Sequence, residues 1–335
     1  MADTVLDQIV GNLRSSGSIY FPQQPEVTAV RVVGHTPKPD HFIYEIVVDL
    51  AEGSERVNAK IYRGKNSPQE QARKEARNLQ YAHQAAEKRE LEGIPRPIGD
   101  FAELGAVVST KVNGLPLQSI IMKSALLPGS GSHDLLKTAA AQAGDWLQQF
   151  HKATAGIATT LDGNTLLAEM EKLCARAQKD GLPEDSIEAI LSNARNTLAK
   201  LKKPVRSSAV LHEFIPLNVL VAAHGVGFCE FASLSESGYA LEDAAKFLAA
   251  VEALEKYPFC DRGLTAPVQD AFVEAYGLTA QEHALVATLK MKVLLQMFAQ
   301  GRTGKESAQR KKVMWANVMK RFLQQAAERS MVPAA

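Results

Sequence analysis

Hydrophobic and polar positions change period twice along this chain. Between Val27 and Arg63 the pattern is strand-like in three runs, VTAVRVV, HFIYEIVVDL and RVNAKIYR, separated by a Pro/Gly/Asp segment at 34–40 and a Glu-Gly-Ser turn at 52–54. Such runs with turn residues between them predict an antiparallel meander. From 67 to 93 the spacing becomes three and four, with Ala72, Ala76, Leu79 and His83 on one face and Glu75 at its border. Ser67, Pro68 and Glu70 give this helix a capping box with proline at its first position. GAVVSTKV, 105–112, reads as another strand. After a Gly/Ser/Pro loop at 126–134 the pattern is helical over 135–153, 163–180 and 184–202. A β-like island at 210–231, with a His-Gly turn at 224 and 225, interrupts it before helices resume from Leu241.

The order predicts an α+β, bilobal protein: a small β-rich N-lobe with one helix over 1–112, then a larger helical C-lobe over 113–335 carrying a hairpin at 210–232. With 335 residues and 46% hydrophobic content, each lobe can bury its own core. Lysine plus arginine (38) balances aspartate plus glutamate (37), so the charge offers no basis for binding nucleic acid or an anionic membrane. Any phosphate site must be local. Cys174, Cys229 and Cys260 are scattered and odd in number, which predicts buried, unpaired thiols in a reducing compartment. The N-terminus carries Asp3 and Asp7 in an amphipathic pattern unlike a signal peptide, and no apolar run approaches the roughly 20 residues of a membrane span. These features predict a cytoplasmic protein without a membrane partner.

Several segments, in the right order across both lobes, resemble the aminoglycoside phosphotransferase family, the small-molecule branch of the protein-kinase-like fold. VNAKIYR is similar to the strand holding the phosphate-binding lysine, ARKEARNLQ to the helix whose glutamate pairs with it, and IPRPIGDFAELGAVVSTKVNGLPL to the strands leading to the hinge. AGDWLQQFHKA, with Trp146 and His151, resembles a family helix. The most specific match is HEFIPLNVLV followed by GVGFCEFA, against the family's H-G-D-x-x-P-x-N and a second acid beyond a hairpin.

The resemblance implies ATP-dependent phosphorylation of a small-molecule hydroxyl, with ATP and Mg2+ as cofactors. It implies Glu213 as the catalytic base, Asn218 and Glu230 as metal ligands, and Lys60, Glu75, Thr110 and Val112 as nucleotide-binding residues. Asp243 resembles a structural aspartate that follows the metal loop. The chemistry suits these types, because phosphoryl transfer is chiefly positioning and charge neutralisation, and magnesium takes hard oxygen ligands. Taken alone, Lys60 also reads as a strand lysine reaching water, Asn218 as a turn residue, and Asp243 as a helix N-terminal acid.

Four departures qualify the implied activity. Glu213 and Glu230 stand where the family has aspartates, Leu211 where it has histidine, and His212 where it has glycine. The phosphate loop, GHTPKPDHF at 34–42, has one glycine and two prolines, with Lys38 and His35 as possible sources of charge. A catalytically inactive pseudokinase, a nucleotide-binding or scaffolding module, is therefore the alternative.

Overall fold

The computed structural model describes residues 2–23, 26–64, 67–126, 132–223, 225–257 and 259–303, together with 320, 323, 324 and 327. Most of the chain after 303, His224 of the expected His-Gly turn and most of the expected loop at 126–134 lie outside the described residues. The chain divides into two compact units: 1–114 with 227–236, and 115–226 with 237–335.

The first unit begins with α1 (Ala2–Ser15) and the short α2 (Gly17–Tyr20), followed by β1 (Val27–Pro37), β2 (His41–Leu50) and β3 (Gly53–Tyr62). Helix α3 (Pro68–Glu87) and β4 (Ala106–Thr110) complete it before the chain leaves. The strands form one antiparallel sheet in the order β1-β2-β3-β4. The central strand β3 shows why alternation matters. Val57, Ala59 and Ile61 enter a buried cluster with Ile9 and Leu13 of α1 and Ile46 and Val48 of β2, which leaves Asn58, Lys60 and Tyr62 to the opposite face. The N-terminal amphipathic pattern is thus a core helix. The expected capping box is partly realised: Ser67 Oγ accepts the Glu70 amide at 3.4 Å. The helix stops at Glu87 rather than near Gly93, where Leu91 N–H donates to the Ala86 carbonyl at 3.0 Å and Glu90 turns left-handed (φ 54).

The expected phosphate loop at 34–42 is shorter than its composition suggests. Pairing of β1 with β2 continues to Pro37 opposite Phe42, which confines the turn to Lys38–Asp40. Arg63 fixes that turn, donating its amide to the Asp40 carbonyl at 2.8 Å and its guanidinium to the Lys38 carbonyl at 2.5 Å while lying 4.2 Å over the Phe42 ring.

The second unit contains β5 (Leu115–Pro116), α4 (Leu117–Leu126), α5 (Ser132–Ala153), α6 (Gly163–Lys179), α7 (Glu184–Lys200), β6 (Ser207–Val210) and β7 (Val219–Ala222). Strand β8 (Gly225–Phe228) leads into the first unit and β9 (Ser235–Tyr239) leads back, after which come α8 (Leu241–Glu252), α9 (Arg262–Tyr276) and α10 (Ala280–Thr303). Its core is a chain of aromatic rings: Trp146 against Phe150 and Phe214, and Phe214 against Phe247 and Phe272, at centroid separations of 5.7–6.5 Å. Phe247 and Phe272 stack at 4.1 Å. Helices α5 and α9 approach closely at Gly144, where a Cβ would meet the Tyr276 amide nitrogen at 3.1 Å. Among the described residues no helix is long and apolar enough to cross a membrane. Cys174 and Cys260 are buried, whereas Cys229, expected to be buried, is exposed.

Candidate active site

In the first unit, one face of β3 and one face of α3 bring three charged residues together. Lys60 Nζ lies 3.0 Å from the Glu75 carboxylate and 3.1 and 3.2 Å from the two Glu230 oxygens. The side chains are 12%, 5% and 26% exposed, for Lys60, Glu75 and Glu230 in turn. Burial alone would favour a neutral amine, but two adjacent carboxylates outweigh it and hold Lys60 protonated beyond the ordinary lysine range. Glu75 is pushed the other way: burial raises its pKa, Lys60 opposes the rise, and Glu230 adds to it. The segment carrying Glu230 is itself held by α3, since Asn78 Nδ2 donates to the carbonyls of Phe231 at 2.8 Å and Leu234 at 3.2 Å.

Two residues that sequence reasoning missed complete this arrangement. Tyr62 donates its hydroxyl to Glu75 Oε2, and its ring lies 5.3 Å from Lys60 Nζ. Strand alternation carries this signal, because Tyr62 is two residues from Lys60 and shares its face. His41, buried beside the turn, holds Asp40 through Nδ1 at 2.8 Å. Burial and the Lys60 charge keep its imidazole below the ordinary histidine range. His35, a possible phosphate contact in sequence, stacks instead at 4.8 Å on Tyr44.

Thr110 and Val112 lie at the end of this unit's first segment. Thr110 is engaged with Arg96, accepting its amide at 2.8 Å and donating to its carbonyl at 2.9 Å. Val112 packs on Gly227, where a Cβ would strike Val112 and also meet the Gly93 carbonyl at 2.8 Å. Only glycine lets the Glu230 segment run this close.

In the second unit, the loop after β6 is organised by Asp243. Its carboxylate, fully buried, accepts the amides of Leu211 and His212, each at 2.7 Å. His151 Nε2 lies 3.2 Å from the same carboxylate and Nδ1 lies 2.9 Å from the Tyr276 hydroxyl, tying α5, α8 and α9 to one acid. His212 has φ 60, the left-handed region that favours glycine. Glu213 follows, with Asn218 Nδ2 donating to its carbonyl at 3.0 Å. Its carboxylate, 35% exposed, meets Lys246 Nζ at 2.8 Å. Lys246 was not anticipated, yet it stands three residues after Asp243 on α8, a spacing that shares a helix face.

The structure therefore groups Lys60, Glu75 and Glu230 in the first unit and Glu213, Asn218 and Asp243 in the second. Glu230 supplies carboxylate oxygens and Asn218 an amide oxygen, the hard donors magnesium takes. Among the described residues no group of three or more His, Cys, Asp or Glu forms a metal cluster.

No protein-family model matches the chain, and no curated protein matches its sequence. Solved structures do match. A glucosamine kinase in complex with glucosamine, ADP and inorganic phosphate superposes with a TM-score of 0.53 at 15% identity, covering 94% of this chain and 98% of that one. The fold is that of the kinase-like small-molecule phosphotransferases. A spectinomycin phosphotransferase bound to ADP and spectinomycin has a TM-score of 0.53 at 11% identity over 97% of this chain and 98% of that one. An amicoumacin kinase bound to AMP-PNP, Ca2+ and amicoumacin has a TM-score of 0.54 at 13% identity over 97% and 96%. The β-rich sheet at the N-terminal end and the helical remainder match the expected α+β, protein-kinase-like class.

Proposed function

We propose that the protein is an ATP-dependent phosphotransferase acting on a hydroxyl of a small molecule. The observation that carries this reading is the placement of Lys60 between Glu75 and Glu230 on a sheet-and-helix unit of kinase-like fold. Lys60 provides a fixed positive charge for nucleotide phosphates, and Glu75 keeps it oriented. The 110–112 segment, with Thr110 and Val112, borders the nucleotide ring. Glu213 accepts the proton of the attacking hydroxyl. Magnesium, held by Glu230 and Asn218, would neutralise phosphate oxygens. By analogy with the named ligands of the structural neighbours, amino sugars and aminoglycosides are the first acceptors to test.

The test combines magnesium-dependent stabilisation by ATP with transfer of labelled γ-phosphate to a panel of amino sugars, amino alcohols and aminoglycosides. We expect both, and we expect Lys60→Ala to abolish transfer. Absence of both in the wild type sinks the proposal. A second reading, a pseudokinase that binds without turnover, is favoured by Lys246 on the Glu213 carboxylate and by two acids already on Lys60. Product whose formation depends on Lys60 decides against it.

A further inference from the structure

We propose that Lys246 is the positioning residue for the Glu213 carboxylate, an inference that rests on the phosphotransferase reading above. The backbone of Glu213 is fixed on both sides: Asp243 takes the preceding amides of Leu211 and His212 at 2.7 Å, and Asn218 takes the Glu213 carbonyl at 3.0 Å. None of these contacts reaches the side chain. A glutamate has one more rotatable bond than an aspartate, so a fixed backbone leaves its carboxylate free to sweep several positions. Lys246 removes that freedom with an ion pair of 2.8 Å to Oε1.

The neighbouring charges support this assignment. Lys246 sits four residues after Glu242 on α8, a spacing that brings the two side chains together on the helix surface, yet its close partner is Glu213. Glu242 faces His212 instead, at 3.9 Å from Nδ1. Lys292, the other lysine near Glu242, is held by Glu169 at 2.5 Å. Helix α8 therefore holds the loop twice, its backbone through Asp243 and its acid through Lys246. With Oε1 on the ammonium, the carboxylate's second oxygen accepts the acceptor O–H. As the new O–P bond forms, that proton passes to Glu213, and the bond from the γ-phosphorus to the ADP oxygen breaks with its electron pair leaving on ADP. Lys246 keeps its protons throughout.

The test uses magnesium-dependent ATP hydrolysis by the full chain, with water as the acceptor. We expect Lys246→Met to lower kcat by about 10- to 100-fold, the scale of a misplacement near one ångström, with KM for ATP unchanged, and Lys246→Arg to restore most of the rate. Glu213→Asp draws the carboxylate away from Lys246, so Lys246→Met should cost much less in that background. Equal losses in both backgrounds, or a Lys246→Met enzyme as fast as wild type, overturn the inference. A wild type that neither hydrolyses ATP nor transfers phosphate to any acceptor of the panel defeats the phosphotransferase reading itself. The pairing is then judged by NMR of lysine-labelled protein, where the Lys246 Cε–Nζ signal, identified by its loss in Lys246→Met, must move in Glu213→Gln. An unmoved signal overturns the inference.

Discussion

The two units hold their charged residues on different supports. In the first, Lys60, Glu75 and Tyr62 form a buried network whose charges answer one another, and the residues are defined by side chain to side chain contact. In the second, one buried aspartate, Asp243, fixes a loop through its backbone amides, and the Glu213 carboxylate extends from that loop a third exposed, met by Lys246. A side-chain network fails when a charged member is removed, because the others are left charged in a poorly solvated place. A backbone clamp tolerates variation in the residues it presents, since their amides are the same whatever the side chain.

The largest test of that difference is Lys60→Met. It leaves Glu75 and Glu230 without their cation, and we expect a loss of about 3–5 kcal/mol in urea denaturation, together with loss of ATP binding by calorimetry. Asp243→Ala should follow at about 2–4 kcal/mol, since it orphans two amides at about 1–3 kcal/mol each with partial relief by water. In contrast to Lys60→Met, it should leave affinity for the metal-free nucleotide unchanged. A Kd for metal-free nucleotide that shifts in Asp243→Ala would contradict the separation of roles.

Tyr62→Phe is a smaller perturbation. Loss of its hydrogen bond to buried Glu75 should cost about 1–2 kcal/mol, and the pH dependence should change in a defined way. Burial, with Glu75 beside it, raises the Tyr62 pKa in the folded protein above the ordinary tyrosine value. Above that ordinary value the unfolded chain loses a proton that the native state keeps, so stability falls as pH rises. Removal of the hydroxyl should flatten that decline, measured as urea midpoints between neutral and alkaline pH. An unchanged slope would place Tyr62 outside the network.

The smallest effect concerns His212. Glycine relieves a left-handed backbone cost of about 1–2 kcal/mol but gives back part of this as unfolded-state entropy. His212→Gly should therefore raise stability by less than about 1 kcal/mol, with the Asp243 contacts retained. A clear loss in thermal melting would mean that the His212 side chain, through Glu242, matters more than its backbone.

The same contrast explains what the sequence made readable. The strands of the first unit were visible because β3 buries alternate residues, and α3 because Ser67, Pro68 and Glu70 mark its start. Lys60, Glu75 and Glu230 could be selected by order along the chain, although their meeting depends on a separation of 170 residues between Lys60 and Glu230 that no local pattern encodes. Helix α4 was hidden because LQSIIMKSAL is a short apolar run beside a Gly/Ser loop, a pattern that fits strand or helix. Strand β9, SESGY, is polar and without alternation, so its pairing had to come from its partner. Helix α1 showed its amphipathic face but not the sheet it covers. Lys246 lay within reach of the (i, i+3) rule once Asp243 had been singled out, whereas the choice of Glu213 over Glu242 is a matter of three-dimensional geometry.

The first unit closes only when residues 227–236 return to it. During synthesis at about 5–20 residues per second, the sheet, α1 and α3 are therefore complete on the order of ten seconds before Glu230 emerges. For that interval Lys60 has Glu75 and Tyr62 but lacks its second acid, and the pocket beside α3 that takes the Phe231 and Leu234 carbonyls stands open. The nascent chain thus passes through a stage in which its N-terminal sheet is formed and the Lys60 charge is only half neutralised. Contacts of such sequence separation are the slow ones to form, which makes the return of this ten-residue segment a late step in the assembly of the first unit.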